Sequence, residues 1–207
     1  MKAKTLCLSA VLAAGMPVAP AFAHHVMDGA MPGTFAEGLL SGLAHPVIGL
    51  DHFAAVVAVG CLAAAHRAGA ALAAGFVLTM MAGVAVHLGG PNVPGAELWV
   101  ALSVIALGAI MLTQRELKAF AALALFVATG LLHGYALGES IYGAEPTPLA
   151  AYLIGLAVIQ SALALAAMML ARVTLQRTNQ AHWLRPVGAG VAGIGLAVLI
   201  QQFVSLS

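Results

Sequence analysis

Two imidazoles and a carboxylate stand within eight residues: His45-Pro46-Val47-Ile48-Gly49-Leu50-Asp51-His52. The run around them is otherwise almost wholly apolar. Ionisable groups at membrane depth are costly and mark functional sites. Imidazole nitrogen and carboxylate oxygen also suit a divalent transition metal. On an unbroken helix His45 and His52 would share a face about 10 Å apart along the axis. One ion could not bind both, because metal–ligand bonds are about 2 Å. Pro46 removes a backbone donor, and Gly49 permits irregular dihedrals. The octapeptide therefore predicts a broken or distorted helix that draws His45 toward Asp51 and His52. Broken helices with polar groups near mid-membrane recur in transporters. The competing structural reading is a polar knot, with Asp51 bonding His52 or a backbone group and locking the helices together.

Further groups could share this chemistry. His133-Gly134-Tyr135-Ala136-Leu137-Gly138-Glu139 closes the fourth apolar segment and sets His133 and Glu139 at a depth comparable to His45. His87 near the end of the second segment and Glu97 at the start of the third could line an outer vestibule. For Glu139 the plain alternative is a solvated helix end. For Glu97 it is an acid favoured by a helix N-terminus. His24 and His25, with Met27, Asp28 and Met31 nearby, could capture metal loosely or form a lead peptide without structure. His66 and His182 read as interfacial anchors beside Arg67 and Trp183. The pairs Met80-Met81 and Met168-Met169 read as core fillers, and Cys61 as a buried inert thiol.

These groups need a scaffold, and composition dictates its kind. The chain has 207 residues, 62% of them apolar and 7% charged. A soluble domain carries roughly 25% charged residues. The class is all-α, a polytopic membrane protein. Six apolar segments, near 35–65, 68–89, 96–113, 117–138, 147–172 and 186–205, are each about long enough to span. Residues 1–23 read as a cleavable signal peptide: Lys2 and Lys4, a short apolar core, then Ala21-Phe22-Ala23. Residues 24–207 would then form a single six-helix domain. Arg67, Arg115, Lys118, Arg172, Arg177 and Arg185 fall at the first, third and fifth connections, while Glu97, Glu139 and Glu145 surround the second and fourth. The positive-inside rule places the basic connections in the cytoplasm and the mature N-terminus outside. Gly69 with Ala73, Gly75 with Thr79 and Ala189 with Gly193 are small pairs that would allow close helix approach.

Other chemistries find no support. Net charge is +1, without a basic stripe, so nothing points to nucleic acid. No P-loop, no G-x-S-x-G elbow and no H-E-x-x-H pair occurs.

The octapeptide with Gly60, the later run His133, Gly134, Ala136, Gly138 and Glu139, and Glu97 before the third helix together resemble the HupE/UreJ family. Its members are hydrogenase- and urease-associated membrane proteins regarded as nickel or cobalt permeases. The resemblance covers essentially the whole mature chain. It implies that His45, Asp51 and His52 are the transport-critical set, supported by His133 and Glu139. Val56 stands where the family usually has Met, and Leu137 where it usually has a second His; both changes remove a potential ligand and leave the choice of metal open. The expectation is a permease of the bacterial inner membrane, its mature N-terminus periplasmic. Ni2+ or Co2+ would be cargo, with no resident cofactor and no enzymatic activity. Its partners would be the metal ion and the lipid bilayer, and a homo-oligomer is compatible with it. An intramembrane metalloenzyme and a non-transporting accessory protein are the rival readings. Neutral imidazole is the ligand form, so uptake should fall as pH drops through roughly 6.

Overall fold

The computed structural model describes residues 31–90, 93–114, 117–178 and 184–205. The expected signal peptide, with His24, His25, Met27 and Asp28, lies outside them, as do Arg115 and His182. Among the described residues all regular structure is helical: α1 (Phe35–Ile48), α2 (Leu50–Ala63), α3 (Gly69–Leu88), α4 (Ala96–Thr113), α5 (Ala119–Glu139), α6 (Pro146–Thr178) and α7 (Leu184–Ser205). The last five are each long and apolar enough to cross a membrane, and α1 with α2 passes the same test as one pair bent by 77°. α1 starts with a capping box: Glu37 N–H donates to Thr34 Oγ1 at 3.2 Å, and Thr34 N–H donates to Glu37 Oε2 at 3.1 Å. That reciprocal pairing satisfies two backbone donors a helix start otherwise leaves open.

The fifth segment overruns its expected end. The apolar stretch stops near 172, but α6 continues to Thr178 through Arg172 and Arg177. Leu, Gln and Arg are good helix formers, so hydropathy located the apolar part and not the helix terminus. Arg172 turns back on the first connection, donating from Nη2 to His66 O at 2.9 Å and from Nε to Ala64 O at 3.4 Å.

Three helix pairs form the bundle, and glycine sets each contact. Gly38 and Gly42 of α1 lie against the backbone of Pro148 and Tyr152, and Gly155 of α6 against Leu39 and Leu43. Gly83, Gly130 and Gly134 let α3 and α5 touch at Leu131, Phe76 and Met80. Gly108, Gly188 and Gly195 do the same for α4 and α7. Apolar association without a hydrophobic driving force relies on such close packing. The expected small pairs contribute less. Gly69 abuts the Ala63 carbonyl and Thr79 meets Gly130, but Gly75 has only an ordinary contact with Leu123, and Gly193 faces open space. Spacing alone cannot tell an inward glycine from an outward one on a helix apolar all round.

α2 packs against every other helix. Its Ala54, Ala55, Val56, Ala58, Val59, Gly60, Cys61 and Ala63 are all buried. A helix apolar on every side belongs in the interior, and the one place it carries polar side chains is its first turn.

Gly134→Val should force α3 and α5 apart, because a side chain there meets the Met80 backbone. Overpacking of this kind costs about 1–3 kcal/mol. We expect a lower melting temperature in detergent by fluorescence-detected size exclusion, with Gly193→Val unchanged.

Candidate metal site

The bend at Gly49 builds the site. α1 ends on Ile48, α2 begins on Leu50, and Gly49 caps both. Pro46 sits in the last turn of α1, where the backbone donor it lacks weakens the helix. The His45 and His52 ring centroids are 6.4 Å apart, well inside the spacing a straight helix would impose. The broken helix anticipated from the octapeptide is present. Gly49 has a different reason from the one expected. Its φ of −72° and ψ of 98° are open to any residue. A Cβ there would come within 2.9 Å of His52 Cδ2 and 3.3 Å of Asp51 Oδ1. Glycine is needed to make room for the ring.

His52 reaches across to α5. Its Nδ1 lies 2.7 Å from His133 Nδ1, with ring centroids 4.9 Å apart. His133 Nε2 is 3.0 Å from Ser103 Oγ on α4, and Ser103 Oγ donates to Val100 O at 2.7 Å. A neutral imidazole has one N–H and one bare nitrogen, so the proton order at His52 is tied to that at His133. Ser103, the only hydroxyl between Glu97 and Thr113, joins the pair to α4.

Around this chain, His45 stands edge-on to Tyr152, centroids 6.4 Å apart. Tyr152 donates to Leu137 O at 3.0 Å and lies 3.1 Å from Ser140 Oγ, tying α6 to the end of α5. Asp51, half-buried in the first turn of α2, accepts from His52 N–H at 2.8 Å through Oδ1. That is the local backbone bond of the polar-knot reading, and it coexists with the histidine chain. His45, His52 and His133 are all buried.

Of the seven residues expected at a metal site, the structure gathers His45, Asp51, His52 and His133 at the bend. Glu97 and Glu139 are exposed at the ends of α4 and α5. Each is six residues from Ser103 or His133, about 9 Å along its helix, so they stand at the helix ends and not at ligating distance. His87 sits apart between Tyr135 and Tyr142, ring centroids 4.6 and 5.7 Å away. Among the described residues no three His, Cys, Asp or Glu side chains enclose a point where an ion could sit. His52 neighbours both His45 and His133. Val56 and Leu137, the two departures from the family pattern, are fully buried. Ser103 and Tyr152 were not anticipated. Nothing in the spacing marked either.

Ser103→Ala removes the hydrogen-bond partner of His133 Nε2. 15N-imidazole NMR of the detergent-solubilised protein should show a changed tautomer balance at His133 and His52 in the variant. Gly49→Ala should displace the His52 ring and change the same signals, with a melting temperature lowered by only a few degrees.

The sequence profile described as "HupE / UreJ protein" matches residues 11–198. Protein HupE of Rhizobium leguminosarum bv. viciae is 34% identical over 122 residues, which span 58% of this chain and 61% of that relative. No solved structure matches. With the profile matched along nearly its whole length, the chain belongs to the HupE/UreJ family.

Proposed function

We propose that this protein is a six-span permease of the bacterial inner membrane that carries Ni2+ or Co2+ inward for metalloenzyme maturation. One observation carries the reading: the bend at Gly49 brings His45 near His52, and His52 against His133, inside an apolar helical bundle. Polar side chains at such depth are functional by default. A hydrated divalent ion must exchange water for protein ligands that are favourable enough to enter and weak enough to leave. Neighbouring imidazoles that do not close into a cage suit that task. His45 and His52 supply imidazole nitrogens, and Asp51 supplies charge.

The bent pair α1–α2 is the first of the six spans. Lys118, Arg172 and Arg185 lie toward the end of the bundle that the first connection occupies, while Glu97, Glu139 and Glu145 lie toward the other. With basic residues on the cytoplasmic side, the mature N-terminus is periplasmic, and Glu97 and Glu139 line the outer mouth, where carboxylates concentrate cations. The role is non-enzymatic, the metal is cargo, and no resident cofactor is required.

Radiolabelled Ni2+ and Co2+ uptake in cells tests the reading. Asp51→Asn and His52→Ala should each lower accumulation about tenfold or more, as loss of groups at a metal site commonly does, with membrane abundance unchanged. Wild-type accumulation in both variants would exclude the proposed roles. Protons compete with the cation for the same imidazole nitrogens. Uptake should therefore fall as external pH falls, and the fall should be shallower in His133→Ala.

A further inference from the structure

Gln160 is 0% exposed, and neither its amide nitrogen nor its amide oxygen has a hydrogen-bond partner among the described residues. A buried amide left in this state is destabilising. A leucine of similar size would remove that penalty, so packing gives no reason for the residue.

Its place does. Leu156, Gln160 and Ala164 follow one another at intervals of four and share a face of α6. Leu156 lies against Gly42 of α1, and Ala164 against Gly60 of α2. Between Gly42 and Gly60 the chain makes its bend at Gly49, so Gln160 faces the bend. Its depth follows from the Tyr152 hydroxyl, which donates to Leu137 O and links α6 to the end of α5. His133 is four residues inward of Leu137, about 6 Å, and Gln160 eight residues inward of Tyr152, about 12 Å. Gln160 therefore stands about one turn beyond the histidine pair on the inner side. Helical side chains lean toward their own N-terminus, and α5 and α6 run in opposite directions. His133 leans inward and Gln160 outward, toward a common level.

The geometry points to Gln160 as a second station for the cation, its amide oxygen replacing a hydration water one turn inward of the His52–His133 pair. The inference rests on the permease reading and deepens it. A neutral oxygen binds a divalent ion more weakly than imidazole or carboxylate does, which suits a group that must pass the ion on.

The test uses the full chain purified into proteoliposomes, with NiCl2 outside in one series and CoCl2 in another, and a metal-sensing dye inside. Wild type, His52→Ala, Gln160→Leu and Gln160→Glu are compared. Gln160→Leu should lower the initial rate about tenfold at wild-type protein recovery. Gln160→Glu should still transport, with a lower half-saturating concentration and a lower maximal rate, because a charged oxygen holds the ion longer. A purely structural amide would shift neither constant. Where Gln160→Leu is recovered poorly, the two constants of Gln160→Glu decide. Wild-type kinetics in both Gln160 variants, with loss in His52→Ala, overturn the station and leave the permease reading standing. No transport by the wild type overturns both.

Discussion

The contact between a side-chain-free Gly49 and the His52 ring is the constraint on which the rest depends. At this point the first apolar segment stops being one helix. Because the segment turns by 77° there, α2 can enter the centre of the bundle while α1 stays at its side against α6. Because α2 enters first-turn foremost, its two polar residues arrive at the interior together. Any residue larger than glycine would meet His52 and crowd Asp51, and the two functions of the position, turning the chain and seating the ring, would then compete.

An interior made of Ala, Val, Leu and Gly offers polar groups nothing but one another. The histidines consequently form a hydrogen-bonded chain that joins His52, His133, Ser103 and Val100 O. Low surrounding polarity strengthens each link and penalises any break. Close glycine contacts hold the helices that carry the links: α3 with α5 fixes His133, and α4 with α7 fixes Ser103. Packing and chemistry are thus coupled through very small residues. A methyl group placed between two helices moves a histidine that it never touches.

Much of this was legible in the sequence. The octapeptide announced its bend because Pro46 and Gly49 flank the point where two histidines would otherwise lie too far apart. Helix positions followed from uninterrupted apolar runs. Three things could not be read. Which glycines face a neighbour was hidden, because helices apolar all round give no moment to orient them; Gly134 and Gly193 look alike in the chain and differ completely in space. The partners of His133 were hidden too, since Ser103 acts across a helix contact that no spacing rule encodes. The acids at Glu97 and Glu139 carried the right chemistry, and only their distance from the histidines along α4 and α5 separates helix end from centre.

The Arg172 guanidinium, donating to the carbonyls of Ala64 and His66, has a mechanical corollary. It pins the far tip of α2 to α6, and the approach of Gly60 to Ala164 clamps the same portion. A rod held at one extremity can swing only at the other. Any tilting of α2 against α6 pivots beside Arg172 and is widest toward the bend at Gly49.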